Sequence, residues 1–149
     1  MSAQQPGLPA STQRHPEGRP SGEIIRLHRT RSSASTARRW LLDTVRGLLA
    51  DTVIDDAVLV VSELVANSVE HTRSTEIVLA FRIDDRGLVV EVHDQGPGLP
   101  SAWPVPGFRG RSRGLMMVGK LSSTVSSRVG PGGGCVVEAV IPLAGGRGT

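Results

Sequence analysis

The sequence predicts a domain that mixes helices with strands, and three stretches carry that expectation. Asp55 to His71 repeats its apolar residues at helical spacing. Glu76 to Asp94 alternates apolar and polar residues on both sides of a tight turn, the pattern of a hairpin. Cys135 to Ile141 alternates again near the C-terminus. A chain of 149 residues suits one domain with a sizeable core.

Residues 1 to 22 hold Pro6, Pro9, Pro16 and Pro20 among glycine, serine, glutamine and arginine. Such a mixture buries little apolar surface and is expected to be a disordered tail. Glu23 to His28, with Ile24, Ile25 and Leu27, reads as an edge strand. Ser32, Ser33 or Ser35 offers an N-cap for a first helix running to about Ala50. Its inward positions would be Ala37, Trp40, Leu41, Val45, Leu48 and Leu49, with Asp51 and Thr52 breaking it.

The second helix, from about Ile54 to His71, organises the rest. At about 100° per residue, Ile54, Ala57, Val58, Val61, Leu64, Val65 and Val69 share one broad apolar face. Asp56, Glu63, Asn67 and Glu70 form a narrow stripe flanked by Leu59 and Val60. A helix apolar almost all round is normally buried, and a carboxylate on it needs a partner or a task. Glu63 and Asn67, one turn apart, read either as two groups aimed into one pocket or as an edge of solvated side chains.

The hairpin follows. Ile77, Leu79, Phe81 and Ile83 lie on one face of Glu76 to Ile83, and Asp84-Asp85-Arg86-Gly87 makes the turn. On the return strand, period two puts Asp94 with Leu88, Val90 and Val92, opposite Glu91 and His93. An acid thus ends a strand on its core side, directly before Gln95-Gly96-Pro97-Gly98. Glycines there admit close approach of a ligand, although Gly-Pro-Gly also suits a plain sharp turn.

Ser101 to Ser112 is rich in proline, glycine and arginine and reads as a loop or lid. Gly110-Arg111-Ser112-Arg113-Gly114-Leu115 then passes from that loop into a short helix, whose first N–H groups suit an anion. A spaced glycine pair alone is a weak signal of phosphate binding. Ser122 to Val129 and Cys135 to Ile141 close the domain as two strands joined by Gly130-Pro131-Gly132-Gly133-Gly134. Ala144 to Thr149 is a second expected tail, leaving residues 23 to 143 as the domain.

Composition narrows the function. There are 17 basic and 14 acidic residues, a net charge of +3. The arginines crowd before Trp40, as on a nucleic-acid surface, but aromatics are only 3% of the chain, so stacking platforms for single strands are missing. A partner-facing arginine surface is the better reading. One cysteine excludes an internal disulfide framework and suits a reducing cytoplasm, and no Cys/His cluster suggests zinc. No run is apolar enough for a membrane span, and the N-terminus lacks an apolar signal region.

Three motifs stand in order: Glu63-x-x-x-Asn67, Asp94-x-Gly96-x-Gly98 and Gly110-x-x-x-Gly114-Leu115. In that order and spacing they resemble the GHKL ATPase superfamily, which shares its ATP-binding fold with histidine kinases, DNA gyrase and a heat-shock chaperone. Ser62-Glu63-Leu64-Val65-Ala66-Asn67-Ser68-Val69-Glu70-His71 resembles in particular the small anti-sigma factor serine kinases. The resemblance covers roughly residues 24 to 142. It implies a two-layer α/β sandwich, with a mixed, mostly antiparallel sheet and helices on one face. It further implies that Asn67 holds the Mg²⁺ of bound ATP, a task suited to a neutral oxygen ligand. Glu63 would be the general base for a serine hydroxyl. Asp94 would accept from the adenine amino group, with Gly96 and Gly98 as the floor. Gly110, Gly114 and Leu115 would wrap the phosphates, and Arg111 or Arg113 would offset phosphoryl charge.

Two departures stand out. Cys135 occupies a position where this family often has a threonine near the adenine, and a thiol is the weaker hydrogen-bonding group. No histidine sits in a phosphoacceptor-type helix, which disfavours a two-component sensor kinase. The expected activity is ATP/Mg²⁺-dependent serine/threonine phosphorylation of a small anti-anti-sigma type protein, with a sigma factor as a second client and a homodimer as the assembly. The alternatives are a nucleotide-gated binding module with little phosphotransfer and a nucleic-acid binder using the N-terminal arginines.

Overall fold

The computed structural model describes residues 22–72, 74–96 and 112–143. Residues 1–21, 97–111 and 144–149, which take in the expected tails and lid but for Gly22 and Ser112 and include the predicted site residues Gly98, Gly110 and Arg111, lie outside them. β1 (Glu23–His28) leads to α1 (Ser33–Val45) and α2 (Asp51–His71). β2 (Glu76–Asp84) and β3 (Gly87–Asp94) form the hairpin, and α3 (Ser112–Leu121) precedes β4 (Thr124–Val129) and β5 (Cys135–Ile141).

The strands form one sheet in the order β1-β2-β3-β5-β4. All four pairings are antiparallel, so the mixed character expected of the sheet is absent among the described residues. Alternation sets the layers. Ile25, Leu27, Ile77, Leu79, Phe81, Leu88, Val90, Val92, Cys135, Val137, Ala139 and Ile141 all join the core with the helices, which therefore cover one face. α2 is the middle helix, packed between α1 and α3 and over β2, β3 and β5. That central place explains its nearly continuous apolar surface. Trp40 of α1 and Phe81 of β2 meet as tilted rings with centroids 5.1 Å apart.

Two boundaries differ from the expectation. α1 ends at Val45 rather than near Ala50, because Arg46 turns extended and Gly47 takes a left-handed φ of 85°. Leu48, expected inside, is therefore 70% exposed. Asp51, expected to break a helix, instead starts α2, where its charge complements the helix N-terminus. Ile83 is the other misplaced residue: it keeps the alternation but sits at the hairpin end, exposed beyond the reach of the helices.

Candidate functional site

α2 and the end of β3 meet at the C-terminal half of the helix, and polar side chains concentrate there. Asp94 is 9% exposed, on the helix-covered face as its alternation predicts. The Ser68 hydroxyl of α2 donates to Asp94 Oδ2, and the Gly96 N–H donates to Oδ1. One turn further, Thr72 Oγ1 accepts the Gln95 N–H at 3.2 Å. A side chain on Gly96 would come within 3.0 Å of His71 O and Thr72 Cα, so this glycine lets the chain after β3 close on the end of α2.

Among the described residues, the donors to Asp94 are the Ser68 hydroxyl and the Gly96 N–H, both neutral. A carboxylate offers about four acceptor positions, of which two are used among the described residues. The remaining capacity, at a strand end flanked by glycine, suits a ligand that donates a hydrogen bond. Cys135 lies directly across from Asp94 in the β3–β5 register and is buried. Burial pushes its thiol above the ordinary range, with the neighbouring Asp94 charge adding to the effect and a hydrogen bond with Ser127 opposing it.

Glu63 and Asn67 lie four residues apart on α2, both half-buried, and thus share a face about 6 Å apart along the axis. Ser68 immediately follows Asn67, so the same turn that presents the carboxamide also clamps Asp94. The start of α3 abuts Glu63 at Gly114. Leu115, grouped by sequence with the phosphate-binding residues, sends its side chain into the core at 6% exposure. Any contact it makes with a ligand is therefore through its backbone. Arg113 lies in the first turn of α3, while its side chain is outside the described residues. Arg38 Nη1 donates to Ser62 Oγ at 3.3 Å and ties α1 to α2 beside Glu63.

Sequence reasoning missed Ser68 and Thr72. A hydroxyl on the buried side of α2 was the available signal for Ser68, which falls on the same face as Leu64 and Val65. His93 is half-buried on the face of the sheet away from the helices, with Nε2 at 2.8 Å from Glu91 Oε1.

Residues 27–138 match the histidine kinase-like ATPase domain family. The chain belongs to that family. It therefore has an ATP-binding, kinase-like domain. Among solved structures, it is similar to the histidine kinase domain of a blue-light activated histidine kinase from Erythrobacter litoralis EL346, with 23% identity and a TM-score of 0.49. That match covers 76% of this chain, which spans 60% of the Erythrobacter chain. It is also similar to the Acinetobacter baumannii histidine kinase AdeS, with 12% identity and a TM-score of 0.48, covering 83% of this chain and 68% of that one. No curated protein sequence matches.

The residues present fit the nucleotide. Asp94 would have acceptor capacity left for an amino group such as that of adenine, and the turn of α2 beside it carries a neutral oxygen ligand in Asn67. Among the described residues, no group of three or more His, Cys, Asp or Glu could hold a metal ion. A Mg²⁺ ion here would draw most of its ligands from phosphate and water, which is how that ion usually binds with nucleotides. No helix among the described residues is long and apolar enough to cross a membrane.

Proposed function

We propose that this protein is an ATP-dependent serine/threonine protein kinase of the anti-sigma factor type. Its substrate is a serine on a small anti-anti-sigma type partner, and a sigma factor is its second client. The observation that supports this most is the content of one helix: α2 carries Glu63, Asn67 and the hydroxyl that clamps Asp94. In this reading α2 carries the base and the metal ligand, and its Ser68 holds the purine reader on β3.

In this reading Asp94 accepts from the adenine amino group while Ser68 and Gly96 hold its two oxygens. Asn67 would help hold Mg²⁺, which would supply positive charge against the phosphates. The N–H groups at the start of α3, with Gly110, Gly114 and Leu115 supplying backbone and Arg111 or Arg113 supplying charge, receive the phosphate chain. Glu63 accepts the proton of the partner's serine hydroxyl as that oxygen bonds to the terminal phosphorus, and the bond to the departing diphosphate oxygen breaks. A carboxylate serves as acceptor because the hydroxyl is a poor nucleophile while it keeps its proton.

The test is ADP release and phosphoserine formation on a candidate anti-anti-sigma protein, with Glu63→Gln as control. Glu63→Gln should lose about 10²–10⁴-fold in transfer rate, the usual worth of a general base, with nucleotide affinity nearly unchanged. Transfer at the wild-type rate by Glu63→Gln would remove the base assignment. Nucleotide binding with no transfer to any such partner would instead make the protein a nucleotide-gated binding module.

A further inference from the structure

We infer that Gly114 is a positioning residue for Glu63: the missing side chain at the start of α3 is the seat in which the Glu63 carboxylate rests. This rests on the reading of Glu63 as the base, and it assigns Gly114 a task separate from making room for phosphate. A methyl group placed on Gly114 would lie 1.7 Å from Glu63 Oε1, 2.3 Å from Cδ and 3.0 Å from Cγ. Real carbon atoms need about twice the shortest of these separations, so glycine is required for this arrangement.

What yields under Gly114→Ala follows from the anchoring of the two partners. α3 is held by Leu115, Val118 and Leu121, which are 6%, 0% and 9% exposed within the core. α2 is held along its whole buried side. Glu63 is half-buried, and its carboxylate is the far end of a flexible side chain. The helices therefore stay and the carboxylate swings away. The base is displaced while the frame remains, and catalysis responds more than folding does.

The fit also explains why a helix former is absent at this position. Alanine has the higher helix propensity, so in the first turn of α3 the substitution is favourable where nothing occupies the space. Beside Glu63 it collides. The sign of the Gly114→Ala effect on stability thus depends on the side chain at 63.

Two cycles test this on the full-length protein. The first measures melting temperature for Gly114→Ala alone and combined with Glu63→Ala. Gly114→Ala should lower the melting temperature when Glu63 is present and raise it when residue 63 is alanine. A shift of the same sign in both backgrounds would overturn the contact. The second cycle measures kcat for phosphoryl transfer and nucleotide Kd, combining Gly114→Ala with Glu63→Gln. Gly114→Ala should lower kcat on the order of tenfold or more in the wild-type background, and by no further factor in Glu63→Gln, because coupled residues are non-additive. Any change in nucleotide Kd caused by Gly114→Ala should be the same in both backgrounds, since it would report phosphate contact and not the seat of Glu63. Equal losses of kcat in both backgrounds would overturn the positioning role. Wild-type transfer by Glu63→Gln alone would overturn the base itself, and the positioning role with it, even where the melting cycle confirms the contact.

Discussion

β3 carries two buried carboxylates three residues apart, and they face opposite sides of the sheet. Asp94 points to the helices and is held by a serine hydroxyl and a backbone N–H. Glu91 points away from them, 5% exposed, beside two arginines, Arg82 Nη1 at 3.1 Å and Arg128 Nη2 at 3.7 Å, and the ring of His93, whose Nε2 lies at 2.8 Å. Glu91 also sits directly across from Glu138 in the β3–β5 register, an unfavourable like-charge pair. Arg82 and Arg86 reach Glu138 at 3.9 Å and 3.4 Å and offset it. The difference between the two acids is informative. A buried carboxylate surrounded by cations has its charge balanced and contributes to structure, whereas one held by neutral donors keeps charge and acceptor positions for a ligand.

The largest effect that would sharpen this contrast is at Asp94. Asp94→Asn should weaken ATP binding about 100-fold, the worth of a charged hydrogen bond at a buried site, with little change in melting temperature. Should Asp94→Asn unfold the protein and leave the affinity of the folded fraction intact, the two acids would have exchanged roles.

Glu91→Gln should show the reverse pattern. It leaves two arginines and the His93 ring around an uncharged amide and should cost about 2 kcal/mol of stability, partial exposure of the arginines keeping this below the value for a fully buried pair. ATP affinity, read by titration calorimetry, should not change.

The same residue sets an acid limb of stability. Burial pushes the Glu91 carboxyl up, but the hydrogen bond and charge of His93, with Arg82 and Arg128, outweigh it and hold it below its ordinary value of 4.5. A lowered carboxyl contributes stability in full above its unfolded value, and that contribution disappears as pH falls through the folded value. Melting temperature should therefore decline as pH drops below about 4.5, and Glu91→Gln should flatten part of that decline.

Ser68→Ala comes next in size. It removes one of the two donors to Asp94 and should weaken ATP binding about tenfold, by unfixing a carboxylate rather than deleting it. Cys135→Thr is the smallest change. A hydroxyl beside Asp94 is a better hydrogen-bonding group than a thiol held protonated by burial, so nucleotide affinity should rise about twofold to threefold.

Both acids on β3 were assigned to their faces by period two alone, since a strand alternates whatever lies around it. Strand positions and the central helix were legible for the same reason: local periodicity fixes them. Their partners were not legible. Ser68 and Asp94 are 26 residues apart, and the Gly114–Glu63 fit depends on how two helices pack, which no local pattern encodes. The end of α1 was legible and overlooked, because Gly47 closing an apolar run is a helix stop even when Leu48 and Leu49 follow. Asp51 misled through its turn propensity, which its favourable place at a helix N-terminus overrode.

The direct measurement is a calorimetric titration of the full-length protein with ATP and with inosine triphosphate, which replaces the 6-amino group by a carbonyl oxygen. If Asp94 is the purine reader, ATP binds and the inosine nucleotide is weaker by at least about 30-fold, because an acceptor meets an acceptor in a buried site. Equal affinities, or no binding of either, would contradict it.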